Sequence, residues 1–254
     1  MARTAHRKVA VGALPAGLIR GRLIGAMILF VTGTDTGIGK TVLAAAWVRH
    51  LQAAGAAVVG LKPVCSGGRG DARALWKAAG RALPLDEVNP WWYRPAVAPV
   101  VAARRMGQAI RLSEVVSHIR RAASGFSVVL VEGAGGWLSP VGEDFDNRDL
   151  QRALRAVPVV VAPNRLGVVN QVRLVWEALG AYWAETAVAV LMDPARPARL
   201  AVSNVDLLEG YLGAGRLIRF PWLSSAAVAG EGKLPRQAQR ALRALGQRLG
   251  LERP

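Results

Sequence analysis

The chain is 254 residues long and 52% hydrophobic, enough for one α/β domain with a full core and no need of disulfide or metal staples. Its single cysteine, Cys65, excludes an internal disulfide, and its three histidines, His6, His50 and His118, are too scattered to build a His/Cys zinc site. The formal charge of +16 comes from 28 arginines and five lysines spread along the chain, not clustered on one element, which argues against a nucleic-acid binder and leaves a surface that attracts anionic substrates.

No apolar run reaches the roughly 18–20 residues that a membrane-spanning helix needs, so no membrane partner is expected. Residues 1–26 hold five basic residues and no acid; they read as a basic extension, disordered or lying ahead of the true start, with Met27 opening the first strand. From there Met27–Val31 reads as a buried strand, Lys40–Ala54 as a helix, Ala57–Leu61 as a strand and Asp71–Ala82 as a helix. Leu83–Pro99, rich in Pro and Trp, reads as an irregular packed connection. Leu112–Ala123 is helical, Ser127–Val131 a strand, Phe145–Ala156 a helix, Val157–Ala162 a strand and Val168–Ala184 a helix. Ala187–Met192 is a strand, Val205–Leu212 a helix, Arg216–Phe220 a strand and Leu234–Leu249 a closing helix. This alternation predicts one α/β domain over residues 27–254, a mostly parallel sheet with helices on both faces. In such sheets ligands sit beyond the carboxyl ends of the strands, and the chemistry-bearing motifs all follow strands.

The first motif is Gly33-Thr-Asp-Thr-Gly37-Ile-Gly39-Lys40-Thr41, between a strand and a helix. Glycines there let backbone N–H groups curl around phosphate oxygens, Lys40 reaches the β- and γ-phosphates, and Thr41 ligates Mg²⁺. The pattern is a variant of the P-loop, with Thr34 where a glycine is usual. The second motif, Gly60-Leu-Lys62-Pro-Val-Cys-Ser66-Gly67, brings another lysine to the same crevice. Two of only five lysines thus lie in these two loops of an arginine-rich chain, as expected where a compact ammonium is wanted in place of a planar fork. No histidine lies near Cys65 in sequence, so it reads as a packing residue. Asp71, at a helix start, is either an N-cap or a Mg²⁺ ligand. Glu132, at the tip of a buried strand in Glu132-Gly-Ala-Gly-Gly136, stands where P-loop enzymes keep a metal-holding carboxylate.

Together with Leu166-Gly167-Val-Val-Asn170 and Pro221-Trp222-Leu223, these segments resemble the dethiobiotin synthetase family over residues 27–225. The resemblance implies ATP- and Mg²⁺-dependent closure of a cyclic urea on 7,8-diaminopelargonate with CO₂ or bicarbonate, in a cytoplasmic homodimer. It implies Lys40 and Lys62 as catalytic residues. ATP would be held by Gly37, Ile38, Gly39, Lys40, Thr41, Val42, Asp71, Glu132, Gly133, Ala134 and Gly135, with the adenine against Pro221, Trp222 and Leu223. Thr41, Asp71 and Glu132 would hold the metal. Thr36 and Ser66 would bind the diamine or its carbamate, and Leu166, Gly167 and Asn170 would reach substrate from the partner subunit. Met192 stands where the family often has an adenine-contacting Asn, which weakens the expected base selectivity. Three rivals fit less well. A partition or septum-site ATPase would carry a lysine early in the P-loop, a cobyrinate-type amide ligase would carry a glutaminase domain, and a degenerate paralogue would have lost Lys40, Thr41, Lys62 and Glu132.

Overall fold

The computed structural model describes residues 26–196 and 200–253; apart from Ala26, the basic extension lies outside them. β1 (Met27–Gly33) runs into the glycine-rich loop and α1 (Lys40–Ala53), and β2 (Val58–Leu61) runs into β3 (Val64–Ser66) and α2 (Gly70–Ala78). α3 (Leu85–Val88), β4 (Trp91–Tyr93) and α4 (Pro99–Arg105) fill the next connection. Then come α5 (Leu112–Ala122), β5 (Val128–Glu132), α6 (Asn147–Leu154), β6 (Val157–Pro163), α7 (Val168–Leu179), α8 (Ala181–Thr186) and β7 (Val188–Met192). α9 (Leu200–Leu212), β8 (Leu217–Phe220), α10 (Ser225–Ala229) and α11 (Arg236–Arg248) close the chain.

The main sheet has six strands in the order β2-β5-β1-β6-β7-β8, and every neighbouring pair is parallel. β1 lies inside it, with Leu29, Phe30 and Val31 fully buried, Phe30 opposite Val131 on one side and Pro158 on the other. Continuous apolar runs such as Val157–Ala162 suit this setting, because a parallel sheet covered on both faces leaves no polar side. With every strand pointing one way, the loops after β1, β2, β5, β6 and β8 share one edge, as the motif positions required.

The connection read as irregular over Leu83–Pro99 is ordered. β4 pairs in parallel with β3, Val64 opposite Trp91 and Ser66 opposite Tyr93, making a second, two-stranded sheet. The fully buried Asn89 anchors it by donating from Nδ2 to the Lys62 carbonyl at 2.6 Å. Three-residue strands paired across 27 positions leave no periodicity to read in the sequence. The helix expected over Asp71–Ala82 stops at Ala78, and Arg81, at φ 61°, turns its N–H back onto the Trp76 carbonyl at 2.9 Å. The helix expected over Val168–Ala184 breaks at Gly180, whose φ 78° and ψ 160° suit glycine alone. The helix read from Phe145 starts two residues later because Asp146 and Asp149 form a reciprocal capping box. The helix read from Val205 already starts at Leu200, and α10 is an additional short helix.

Candidate active site

The chain leaves β1 for α1 through a loop that ends at Gly39, the N-cap of α1, held at φ 99°. That turn presents the helix N-terminus and its backbone N–H groups to the space above the sheet, an arrangement that attracts anions. Lys40 follows at once and is 6% exposed; its Nζ donates to the Asp35 carbonyl of the same loop at 2.6 Å. Burial pulls the Lys40 ammonium down to about 8, Lys62 adds to the effect, and Glu132, Asp71 and Asp35 oppose it.

Beside Lys40 the ends of β2 and β5 bring a second cation and its counter-ions together. Lys62 and Glu132 are both buried, with Lys62 Nζ 2.7 Å from Glu132 Oε1. The ammonium also donates to the Gly133 carbonyl at 3.0 Å and lies 3.3 Å from Asp71 Oδ2. Burial alone would depress Lys62, but Glu132 and Asp71 outweigh it and hold it above the ordinary lysine value, so Lys62 stays cationic through neutral pH. Glu132 Oε1 also accepts from the Thr41 hydroxyl at 2.8 Å. One buried carboxylate therefore ties together the residue after the P-loop lysine and the second lysine.

These groups open onto a cavity of about 830 Å³. Its walls come from the P-loop, the β2–α2 segment, the start of α4 and the loop after β5, and its size fits a nucleotide with a small co-substrate. The remaining oxygen of Glu132, Oε2, is buried without a hydrogen-bond partner. Together with the Thr41 hydroxyl and the half-exposed Asp71 carboxylate it forms an all-oxygen donor set of the kind Mg²⁺ prefers. Among the described residues no three His, Cys, Asp or Glu side chains form a group that could hold a metal ion by themselves.

The sequence-derived residues divide into two groups. Thr36, Gly37, Ile38, Gly39, Lys40, Thr41, Val42, Lys62, Ser66, Asp71, Glu132, Ala134 and Gly135 all line the cavity, and Gly133 reaches it through its carbonyl to Lys62. Asp71 lies in the first turn of α2, whose N-cap is Arg69, so the N-cap reading is corrected and the carboxylate is left for the cavity. Ser66 donates its hydroxyl to the Val97 carbonyl, leaving its oxygen to accept from a ligand. Leu166, Gly167 and Asn170 lie outside the cavity and are exposed, Leu166 by 80%. Of Pro221, Trp222 and Leu223, none lines the cavity; Trp222 is 54% exposed and Leu223 is buried in the core. Met192 packs against the P-loop: a Cβ built on Gly39 would meet its Cε at 3.0 Å. Cys65 is buried and hydrogen-bonds Asn89, and burial pushes its thiol up, away from nucleophile chemistry.

Three residues were not expected from the sequence to support the site. Asn89 braces the Lys62 backbone from behind, as described above. Asn147, fully buried at the start of α6, bonds the glycine-rich loop after Glu132. Ser139 lines the cavity and accepts the Gly136 N–H at 2.8 Å. Asn89 and Asn147 share one signal, a buried Asn, since an amide kept out of water must satisfy its hydrogen bonds. Nothing in the sequence says whose backbone it satisfies.

A family model described as an AAA domain matches residues 28–228. The ATP-dependent dethiobiotin synthetase BioD of Anaeromyxobacter dehalogenans (strain 2CP-C) is 44% identical over 155 residues, which span 59% of this chain and 70% of that protein. The enzyme of the same name from Xanthomonas oryzae pv. oryzae (strain PXO99A) is 34% identical over 220 residues, 82% of this chain and 97% of that protein. Among solved structures, the MinC:MinD cell division protein complex of Aquifex aeolicus superposes with a TM-score of 0.56 at 16% identity, covering 90% of this chain and 98% of that one. A ParA family ATPase from Chlorobium tepidum gives 0.55 at 16% identity, covering 86% and 98%. At such identities the two structures establish a shared fold, a mostly parallel P-loop sheet with packed helices.

Proposed function

The chain belongs to the ATP-dependent dethiobiotin synthetase family, P-loop ligases of biotin biosynthesis, and on that premise we propose which of its residues perform the reaction. The enzyme joins 7,8-diaminopelargonate and CO₂ at the expense of ATP, giving the cyclic urea dethiobiotin, ADP and phosphate. One amine of the diamine adds to CO₂ and releases a proton, forming a carbamate. A carbamate oxygen attacks the γ-phosphorus and ADP departs, leaving a carbamic–phosphoric anhydride. The second amine attacks the carbonyl carbon, the C–O bond to phosphate breaks, and a proton leaves the ring nitrogen.

The chief barrier is the approach of one anion to another, and the two-lysine geometry answers it. Lys40 sits at the helix N-terminus for the β- and γ-phosphates, and Lys62 lies between Glu132 and Asp71 on the facing wall. A lysine held cationic cannot serve as a base, so Lys62 acts as an electrostatic clamp for the carbamate and the transferring phosphoryl oxygens. Thr41, Glu132 and Asp71 would hold Mg²⁺, which when bound neutralises the phosphate charge. Thr36 and Ser66, on the P-loop and β3 walls, would orient the diamine. That pair of lysines in one cavity with an unpartnered Glu132 oxygen is the observation that supports the assignment most.

The proposal includes a homodimer, a single domain over residues 27–254 and a cytoplasmic location suited to ATP consumption and a lone cysteine. Supporting the dimer, α7 and α9 meet at the surface, with the Arg173 guanidinium 4.4 Å from the Tyr211 ring, and they expose Leu174 and Leu207, while Leu166, just before α7, is exposed as well. Incubation of the purified protein with 7,8-diaminopelargonate, bicarbonate and Mg-ATP tests the reading. Formation of the cyclic urea with one phosphate per turnover is expected. No product with any nucleotide, or ATP hydrolysis driven by DNA or liposomes and not by the diamine, overturns it.

A further inference from the structure

The loop after β5 forms one wall of the cavity, and its own backbone does little to hold it. Its ends are tied to β1: Gly133 N–H donates to the Val31 carbonyl at 3.0 Å and Trp137 N–H to the Gly33 carbonyl at 3.1 Å. The stretch between is held mainly by side chains. Asn147, the first residue of α6 and fully buried, donates from Nδ2 to the carbonyls of Ala134 and Gly136, both at 2.7 Å, and accepts from the Ala134 N–H at 3.3 Å. Ser139 adds two bonds at Gly136: its hydroxyl accepts the Gly136 N–H at 2.8 Å and its backbone N–H donates to the Gly136 carbonyl at 3.1 Å. The fit extends to Gly133: a Cβ there would lie 2.7 Å from Asn147 Oδ1, so the side chain needs a glycine beneath it. Gly133 in turn gives its carbonyl to Lys62 Nζ at 3.0 Å.

We propose that Asn147 is a positioning residue for the ring-closing reaction, a clamp that sets the Gly133–Gly136 wall and, through the Gly133 carbonyl, the aim of the Lys62 ammonium. The inference rests on the functional reading above. Asn147 is fully buried and does not itself line the cavity, so its effect passes through the loop. A wall displaced by about 1 Å lowers turnover far more than it lowers ATP binding, because catalysis depends on geometry at the reacting atoms while the phosphates are held by a different loop.

The test compares Asn147→Ala and Asn147→Asp with Gln151→Ala. Gln151 is equally buried one turn further along α6, where its amide donates to the Ala156 carbonyl and does not touch the loop. Asn147→Asp keeps the shape but loses both donor bonds and sets a carboxylate against two carbonyls. Expected is a fall in kcat of about 10–100-fold for both Asn147 variants, with the KM for ATP within about threefold of the parent. Gln151→Ala should lose several degrees of thermal midpoint yet keep kcat within about threefold. If the Asn147 variants keep parental kcat, or if activity follows the thermal midpoint alike at both positions, Asn147 is only structural and the proposal falls. Should Asn147→Ala fail to fold, Gly133→Ala reads the same contact from the loop side, and parental kcat there also overturns it. An inactive parent enzyme would instead refute the reaction assignment, so the two failures are distinguishable.

Discussion

Lys62 Nζ lies 2.7 Å from Glu132 Oε1, and the two side chains are 4% and 1% exposed, so the site contains an ion pair almost wholly withdrawn from water. Such a pair is a weak source of net stability, but breaking it from one side leaves a buried, uncompensated charge. Lys62→Met should therefore lower kcat/KM by at least about 10²-fold and destabilise the fold by about 3–5 kcal/mol. Lys62→Met combined with Glu132→Gln should regain much of that stability while remaining inactive. Denaturation midpoints together with turnover separate the two effects. An active Lys62→Met enzyme would remove Lys62 from the mechanism.

Lys40 gives a pH signature of known sign. Its ammonium is held down near 8 in the free enzyme, below the ordinary lysine value, chiefly by burial. The charge that attracts phosphate is thus lost as pH rises through about 8. Bound polyphosphate favours the charged form, so in the complex the loss moves to higher pH. The kcat/KM for ATP should fall tenfold per unit above that pKa, while kcat stays level over the same range. The same shift means that the unfolded chain holds its proton at this position more tightly than the folded one between about 8 and 10.5, so here folding gains, not loses, stability with rising pH. A kcat that falls in step with kcat/KM would place the titration elsewhere.

The unpartnered Glu132 Oε2 beside Thr41 Oγ1 should appear as a metal requirement. Thr41→Ala removes one oxygen ligand and the hydroxyl's bond to Glu132 without adding charge. The Mg²⁺ concentration for half-maximal activity should rise by about 10–100-fold, as for loss of a supporting group at a metal site, with partial recovery at high Mg²⁺. A Mg²⁺ titration that superposes on that of the parent would exclude Thr41 as a ligand.

Legibility followed the range of the interactions. The P-loop, Lys62 and Glu132 sit at the ends of long apolar runs whose period announces a strand, and the parallel order then forces their loops onto one edge. The pairing of Val64–Ser66 with Trp91–Tyr93 was invisible because three residues carry no period and the partner is distant in sequence. Asn89 and Asn147 were illegible as site residues for a related reason: an Asn at a loop or helix start is ordinarily read as a cap or turn. Only the fold reveals that the carbonyls they satisfy belong to Lys62 and to the loop after Glu132. Asp71 shows the reverse case, a residue whose local reading as a cap gave way because Arg69 holds that position.

Met192 bears on nucleotide choice. It places a thioether against Gly39 of the P-loop, at the position where the sequence resemblance leads one to expect an adenine-contacting Asn. A thioether offers no hydrogen-bond pair to discriminate an exocyclic amine from a carbonyl. GTP and ITP should therefore support turnover with kcat/KM within about tenfold of ATP, whereas Met192→Asn should widen the gap in favour of ATP. Strict ATP dependence in the parent enzyme would locate base recognition in backbone groups.

The dimer prediction joins surface and site. Leu166 is 80% exposed, Leu174 and Leu207 are each 62% exposed, and the Arg173–Tyr211 contact places α7 beside α9. Large apolar side chains exposed on two neighbouring helices suit an association surface. Asn170 lies one helical turn before Leu174, so a partner docked there would also meet the loop expected to reach substrate. Leu174→Arg should shift sedimentation from dimer to monomer, because a buried charge without a partner opposes association. If the Leu166–Asn170 loop serves the neighbouring subunit, the same variant should raise the KM for the diamine by about tenfold or more and leave the KM for ATP nearly unchanged, since the P-loop belongs to one chain. A monomeric parent protein would refute the shared site. A monomeric variant with the parental KM for the diamine would retain the dimer but remove the loop from substrate binding.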